Sequence, residues 1–296
     1  PNLRDGTDYL WQWGQFLDHD ITLSGPGNPV EHFDIDVPMG DPMFDPMSTG
    51  AMKIPMERSI VDPSTGTSPD NPRNQINELT AYIDASNVYG SDAARAAALR
   101  TNDGTGRLKT SAGDLLPFNL DGLLNAEPSG MPAEPNPNFF VAGDVRANEQ
   151  VGLTAMHTLF VREHNRLADR LRVDDPGLAG DEIYERARAL VGAQMQVITY
   201  REFLPMLLGR DALPPYTGYR DDVDAGIDAT FSTAAYRLGH TLLSPIIHRV
   251  DASGAAIPAG HLALRDAFFR PDRLVDEGGI DPILRGLALR PAQELD

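Results

Sequence analysis

The first segment with the residue types of a reaction centre lies near the N-terminus. Gln15, Asp18 and His19 are spaced as i, i+3 and i+4, so a helix would place an amide, a carboxylate and an imidazole on one face. The surrounding residues are mostly aromatic or aliphatic, and a few convergent polar groups on an apolar surface are typical of a binding site. A buried histidine is, however, often only a hydrogen-bonded core residue. The pattern predicts an acid–base site, with a core histidine as the alternative.

A second pattern begins at Thr80 and offers oxygen atoms at every second residue. Thr80, Tyr82, Asp84 and Ser86 follow one another at this spacing. Carboxylates, hydroxyls and backbone carbonyls are the hard donors that Ca²⁺ binds. One carboxylate is too few for a tight site, so we expect Asp20 to supply another. From the spacing alone, a solvated turn or strand edge is the favoured interpretation.

A glycine beside a histidine marks a third segment, at Gly239 and His240. Glycine inside a helix costs about 1 kcal/mol relative to alanine and removes bulk next to the imidazole. Either a large, flat group approaches His240 or the helix is flexible there. Two other histidines, His157 and His164, lack the HExxH spacing of zinc enzymes, so we expect structural roles for both.

Amphipathic helices must position these residues. Apolar side chains recur at three- and four-residue steps in four stretches, and two Gly- and Pro-rich stretches predict long loops. The predicted helices are 9–20, 146–171, 183–198 and 231–242, and the predicted loops are 25–75 and 102–143. Sustained alternation and internal repeats are absent, so we expect a mainly α domain with long ordered loops.

Composition excludes several classes of function. The 296 residues carry 25 Lys and Arg against 43 Asp and Glu, a net charge of −18. A nucleic-acid partner is not expected, because binding phosphates requires a basic surface. The chain has no Cys, which excludes disulfides and thiolate metal sites. No apolar run is long enough for a membrane span.

Taken together, these segments resemble the animal-type haem peroxidases of the peroxidase–cyclooxygenase superfamily. The resemblance covers nearly the whole chain and implies that family's mainly α fold, with haem held between helices, as a single domain over residues 1–296. It rests on matches in order at 13–20, 73–77, 84–91, 143–149, 156–158, 162–168, 198–201 and 237–241.

The resemblance assigns roles residue by residue. It implies that His240 is the proximal ligand of the haem iron and that His19 is the distal acid–base residue, with Gln15 and Arg146 beside it. Arg237 is implied as a further haem-binding residue. The implied reaction is the reduction of hydrogen peroxide coupled to oxidation of halides, thiocyanate or phenolic donors.

Two covalent links and a cation are also implied. Members of this family esterify the haem through one Asp and one Glu, which correspond to Asp18 and Glu149. Gln150 stands where some members carry a methionine that links to the haem, so we expect bromide, iodide, thiocyanate and organic donors rather than chloride. The family's calcium ligands correspond to Asp20, Thr80, Tyr82, Asp84 and Ser86, which reverses the interpretation from spacing alone.

Other expectations concern the ends of the chain and its setting. Family members place an asparagine beside the proximal histidine on a helix after the segment matching 281–287, and this sequence stops at Asp296. We therefore expect a domain incomplete at its C-terminus, or a remainder carried by a separate chain. The lack of Cys fits a bacterial member, and we expect an extracellular location. The alternative functions are fatty-acid oxygenation and a non-catalytic, calcium-binding adhesion module.

Overall fold

The computed structural model describes residues 4–128 and 134–294 and is mainly helical, which confirms the predicted fold class. The α-helices are α1 (Tyr9–Ile21), α2 (Ser86–Tyr89), α3 (Ala93–Leu99), α4 (Val151–Asp174), α5 (Gly180–Ile198), α6 (Leu204–Leu208), α7 (Ala229–Thr233), α8 (Asp272–Asp276) and α9 (Asp281–Leu289). A π-helical turn, Thr199–Phe203, joins α5 to α6, and 3-10 helices cover Ala112–Asp114, Ala235–Leu242 and Leu264–Asp266. The antiparallel strand pairs are β1 (Ile35–Asp36) with β2 (Lys53–Ile54) and β3 (Ile246–Ile247) with β4 (Leu262–Ala263).

Helix α1 lies at the centre of the fold and packs against α4 and the 3-10 helix Ala235–Leu242. Its aromatic side chains hold it there: Phe16 is fully buried and stacks on Phe160 of α4, with 5.1 Å between ring centroids. Trp13 packs against the same two rings at 5.8 Å. Aromatic pairs at these distances bury large apolar areas and restrict rotation. The residues predicted to react are therefore carried on a helix fixed on several sides.

The predicted start of the longest helix was wrong by five residues. Helix α4 begins at Val151 rather than Arg146, because Gln150 has extended backbone angles and caps the helix. The Gln150 side chain accepts a hydrogen bond from the Gly152 amide at 2.6 Å. Arg146 and Glu149 consequently lie in a turn before the helix, so the directions of their side chains do not follow the helical repeat.

The predicted helix 231–242 is two elements rather than one. Helix α7 ends at Thr233, Ala234 leaves helical geometry with φ −125° and ψ −66°, and the eight-residue 3-10 helix follows. A continuous α-helix would pair the Ser232 carbonyl with the amide of Tyr236. That carbonyl instead accepts from Arg237 Nε at 2.8 Å, which favours the break.

The two predicted loops are confirmed as largely irregular. Residues 25–75 contain only the two-residue strands β1 and β2, and residues 102–128 and 134–143 contain one 3-10 turn. Among the residues with described structure, no helix is both long and apolar enough to cross a lipid bilayer.

Candidate active site

One cavity of about 350 Å³ lies between α1, the turn before α4 and the 3-10 helix Ala235–Leu242. Its walls are largely apolar, with contributions from Leu10, Trp11 and Phe203. Every residue predicted to be catalytic or haem-binding lines it, namely Gln15, Asp18, His19, Arg146, Glu149, Arg237 and His240. The fold thus gathers residues from three distant parts of the sequence into one space.

His19 lies on α1 with 3% of its surface exposed. Its Nδ1 is 3.5 Å from Asp144 Oδ1 and its Nε2 is 3.7 Å from Glu149 Oε2, both longer than a good hydrogen bond. Burial, and then the charge of Arg146, lower the pKa of the imidazole well below its ordinary value. The ring is therefore neutral near pH 7 and retains a nitrogen lone pair that can accept a proton.

Asp144 and Arg146 form an ion pair directly behind this imidazole. Arg146 Nε donates to Oδ1 of Asp144 at 2.9 Å, and Nη2 donates to Oδ2 at 2.8 Å. Nη2 also donates to the Thr22 carbonyl at the end of α1, at 2.9 Å. Burial acts to raise the pKa of the Asp144 carboxyl, but the guanidinium overcomes this and holds the pKa well below normal. Both groups stay charged, so the cavity has a positive charge in a fixed position.

Amide side chains connect α1 to the turn before α4. Gln15 Nε2 donates to Glu149 Oε2 at 3.1 Å, while Gln150 Nε2 donates to Gln15 Oε1 at 2.9 Å and to Gln12 Oε1 at 2.7 Å. A β-carbon at Gly152 would lie 2.3 Å from Gln12 Oε1, so any larger residue there would displace the Gln12 amide from this network. Burial raises the pKa of Glu149. Gln15 is therefore held by hydrogen bonds on both its amide atoms.

The opposite wall, formed by the 3-10 helix, is less restrained. His240 is exposed and lines the cavity, and neither of its ring nitrogens has a hydrogen-bond partner within the described part of the chain. A β-carbon at Gly239 would meet no atom within 4 Å. The imidazole thus faces open space and is free to bind a ligand.

Two contacts join this wall to α1. Arg237 Nη1 and Nη2 approach the two carboxylate oxygens of Asp18 at 3.2 and 3.3 Å. The Tyr236 hydroxyl donates to the Gly14 carbonyl at 3.1 Å. Burial raises the pKa of this phenol well above its ordinary value. Tyr236 and Arg237 therefore hold the 3-10 helix against α1.

The predicted calcium ligands are brought together only in part. The Asp20 carboxylate accepts hydrogen bonds from the amides of Asp84, Ala85 and Asn87 and from the Ser86 hydroxyl, at 3.1 to 3.2 Å. Burial raises the pKa of Asp20 to about 7.

The other two predicted ligands lie further out. Thr80 Oγ1 accepts from the Tyr82 amide at 3.2 Å, and the Tyr82 side chain is 53% exposed. No hydrogen bond among the described residues joins Thr80 or Tyr82 to Asp20. No cluster of three or more His, Asp or Glu side chains that could hold a metal occurs in residues 4–128 and 134–294. Because only the two carboxylates of Asp20 and Asp84 are available among the predicted ligands, a cation here would also depend on hydroxyl and carbonyl oxygens.

Sequence reasoning gave no role to Asp144 or Tyr236. A signal for Asp144 exists: it precedes Arg146 by two residues, the spacing at which an Asp side chain caps a backbone amide, and Oδ1 accepts from the Arg146 amide at 2.8 Å. Tyr236 had no such signal, because its partner is a carbonyl 222 residues away in sequence.

Comparisons with known proteins identify one family. The sequence profile described as animal haem peroxidase matches residues 1–296. The chain is 42% identical to the peroxidasin homologue of Mus musculus over 317 aligned positions. Its structure superposes on peroxidase A from Dictyostelium discoideum with a TM-score of 0.89 and 30% identity, covering 100% of this chain. A fatty acid alpha-dioxygenase of Arabidopsis thaliana gives a TM-score of 0.73 at 19% identity, over 98% of this chain, which shows a shared fold alone.

The matched region is only part of each relative. The alignment with the mouse protein takes in 95% of this chain but 21% of that protein. The superpositions cover 57% of the Dictyostelium chain and 47% of the Arabidopsis chain.

Proposed function

Because this chain belongs to the animal haem peroxidase family, we propose that it is a haem-dependent peroxidase. It reduces hydrogen peroxide and oxidises halides, thiocyanate or phenolic donors. The observation that carries this proposal is the single cavity lined by His19 and Arg146 on one wall and His240 on the other. Within it, an acid–base residue, a fixed cation and a free metal ligand face the same space.

The residues of the cavity fit a haem. His240 presents ring nitrogens without a partner among residues 4–128 and 134–294, and histidine is the common axial ligand of haem iron in peroxidases. A β-carbon at Gly239 would meet no described atom within 4 Å, which leaves room for a group beside His240, and the Arg237 guanidinium suits the acidic side groups that haem carries. When bound, the haem iron supplies the electron transfer by which peroxide is reduced and the donor oxidised.

His19 acts on the protons of the peroxide. Since burial keeps the imidazole neutral, His19 can take one proton from the peroxide and return it to the oxygen that leaves as water. Asp144 lies 3.5 Å from Nδ1, where its negative charge stabilises the imidazolium that exists between the two transfers. This arrangement uses one residue as base and then as acid.

Arg146 stabilises negative charge on the peroxide oxygens. Its guanidinium is oriented by Asp144 and by the Thr22 carbonyl, so it needs no rearrangement when charge develops. Gln15, fixed by Glu149 and Gln150, orients water or a small anion in the same space. Gln150 occupies the position of a haem-linking methionine in some relatives, so we propose bromide, iodide, thiocyanate and phenols as better donors than chloride.

Ester links through Asp18 and Glu149 are part of the proposal. Both carboxylates line the cavity, and Asp18 is held in place by Arg237 and by the Thr22 hydroxyl at 2.8 Å. The test is acid–acetone extraction, from which esterified haem remains with the polypeptide. D18N and E149Q should each release part of the haem.

Calcium binding at Asp20, Thr80, Tyr82, Asp84 and Ser86 is likewise proposed. Its support is the pair of carboxylates: Asp84 adds to the effect of burial in raising the pKa of Asp20, and a bound divalent cation would relieve that repulsion. Tyr82 would contribute its backbone carbonyl, because its side chain is exposed. At about 100-fold excess over the dissociation constant, Ca²⁺ should stabilise the protein by about 2.7 kcal/mol. Melting with and without a chelator measures this, and D84N should abolish the difference.

Fatty-acid oxygenation is the second candidate, on the observation that Tyr236 lines the cavity four residues before His240. Such oxygenases use a tyrosine radical on the proximal side. Oxygen uptake with an unsaturated fatty acid and no added peroxide would favour this candidate.

The central experiment reconstitutes the protein with haemin. We expect a Soret band, peroxide-dependent oxidation of bromide and phenols, and loss of turnover with a retained Soret band in H19A. H32A is the matched control, since the His32 side chain is 68% exposed and lies outside the cavity. A colourless product, or turnover in H19A equal to that in H32A, would contradict the proposal. Haem binding without turnover in the unaltered protein would instead favour the adhesion module.

The extracellular location stays a prediction, to be checked by cell fractionation.

A further inference from the structure

Five of the nine methionines lie between residues 39 and 56, and all five are exposed. The exposed fractions are 73% for Met39, 78% for Met43, 83% for Met47, 45% for Met52 and 37% for Met56. We call residues 39–56 the methionine loop. Apolar surface left in water gains none of the roughly 25 cal/mol per Å² that burial would provide, so a cluster of exposed methionines contributes little to folding and calls for another explanation.

The loop is built to present them. Its centre is Asp45, which is 1% exposed and whose carboxylate accepts from the amides of Gly40, Thr49 and Gly50 and from the Thr49 hydroxyl. These hydrogen bonds lower the pKa of Asp45 to about 2. The turn therefore closes around a carboxylate on the inside, and Met43 and Met47 point outward.

The shared feature of these side chains is sulfur rather than bulk. Seven large apolar side chains are exposed in the loop, and only Phe44 and Ile54 are not methionine. Elsewhere in the described part of the chain, Met206 is the one methionine among the exposed large apolar side chains, which include many Leu, Val, Ile and Tyr. Leucine would cover the same area, so a surface selected only for apolar contact would not require thioethers.

We propose that the methionine loop is a site of oxidation that consumes strong oxidants before they reach the core. Each thioether takes one oxygen atom and gives up two electrons. Hydrogen peroxide yields the sulfoxide and water, and a hypohalous acid yields the sulfoxide, a proton and the halide ion. The source of the oxidant rests on the proposed function, which uses peroxide and would release hypohalous acid. The reactivity of the loop toward added oxidant does not rest on that function.

The groups protected by this reaction are the buried ones. Trp11 and Trp13 on α1 are 3% and 5% exposed, and Met156 and Met195 are at most 2% exposed. A sulfoxide is polar, so oxidation in the core would disrupt packing, whereas oxidation at the exposed Met39, Met43 or Met47 adds a polar atom to surface already in water.

The first experiment adds reagent hypobromous acid to the haem-free protein in small steps and maps oxidation by peptide mass spectrometry. We expect Met39, Met43 and Met47 to be oxidised first, followed by Met52 and Met56, with Met156 and Met195 as internal references that stay reduced. Oxidation of Met206 or of tryptophan at the dose that first oxidises Met39, Met43 and Met47 would overturn the proposal. Because no turnover is needed, failure of the proposed function leaves this outcome unaffected.

The second experiment compares M39L/M43L/M47L with V30L/I35L/I54L, a control that changes three exposed side chains without removing sulfur. Each thioether consumes one equivalent, so the methionine variant should lose tryptophan fluorescence about three equivalents of oxidant earlier than the control. During turnover with peroxide and bromide it should also inactivate sooner. Equal tolerance of reagent oxidant in the two variants contradicts the protective role. If the methionine variant loses tryptophan fluorescence earlier with reagent oxidant but inactivates no sooner than the control during turnover, the enzyme does not supply the oxidant.

Discussion

The two walls of the cavity differ in how completely the polypeptide fixes them. On the α1 side, His19 is buried, Arg146 is held by a bidentate ion pair, and Gln15 is hydrogen-bonded at both amide atoms. On the other side, His240 is exposed, lies in an unusually long 3-10 helix and has no partner among the described residues.

This difference separates two tasks. The groups proposed to move protons and stabilise charge are oriented by the protein alone, an arrangement that favours catalysis because no reorganisation is needed during the reaction. The group proposed to hold the iron is left with unsatisfied binding capacity. We expect ligand binding to order the second wall and to leave the first nearly unchanged.

The largest expected effect separates the walls directly. H240A should lose most of its bound haem, because the proposed axial ligand is removed. H19A should keep its haem and lose turnover by about 10²- to 10⁴-fold, the usual contribution of a general acid–base residue. Haem content and peroxide consumption measured on the same samples distinguish the two. Equal haem loss in both variants would show that the walls are not independent.

The ion pair behind His19 should give the next largest effect. D144N leaves the buried Arg146 without its counter-charge, which typically costs about 3 to 5 kcal/mol of folding free energy. Urea unfolding of the haem-free protein measures this. The control is D62N, since Asp62 lies in an exposed loop and contacts Ser64. A small effect at Asp144 would mean that the first wall is less rigid than its contacts indicate.

Acid should weaken the packing of α4 against α2 and the loop at Gly106, through His164 of α4. Burial lowers the pKa of His164 from 6.5 to about 4, and its ring bonds to Tyr89 and to the Gly106 carbonyl. Since the unfolded chain takes up the proton first as the pH falls, stability is lost between about pH 6.5 and 4 and levels off below that range. A shift of this size corresponds to roughly 3 kcal/mol at most. Melting of the haem-free protein from pH 7 to 4 should show the slope, and H164Q should reduce it.

Alanine substitutions at two glycines, one in each wall, should give the smallest effects on stability. G152A places a β-carbon 2.3 Å from Gln12 Oε1 and should cost roughly 1 to 3 kcal/mol. G239A meets nothing within 4 Å, so the haem-free protein should tolerate it. Thermal unfolding of both proteins tests this. After reconstitution, lower haem occupancy in G239A would indicate that the space beside His240 is used by the ring.

The first wall was largely predictable from the sequence, because it depends on local spacing. Gln15, Asp18 and His19 share a helix face, and the aromatic residues between them bury that helix, as the periodicity predicts. The start of α4 was missed because Gln150 reads as an ordinary helix former, and its capping role depends on contacts with Gly152 and α1.

The second wall was not predictable in the same way. The apolar pattern of 231–242 fits a continuous helix, but Arg237 pairs with Asp18, 219 residues away, and donates to the Ser232 carbonyl. Such long-range contacts override local preference and have no signature in a single sequence. The grouping of Arg146, Glu149 and His240 around one cavity was accessible only through the resemblance to a family.

Under the proposed function, the pairing of Arg237 with Asp18 would make haem binding a competition. The same guanidinium that would bind the acidic groups of the ring is already occupied, and the same carboxylate proposed to form an ester is neutralised by it. Haem binding would then draw on the molecules in which this pair is open, and the observed affinity would be the intrinsic affinity multiplied by the fraction of such molecules. Ester formation would then remove the charge of Asp18 and with it the competitor, which makes incorporation a step that does not readily reverse.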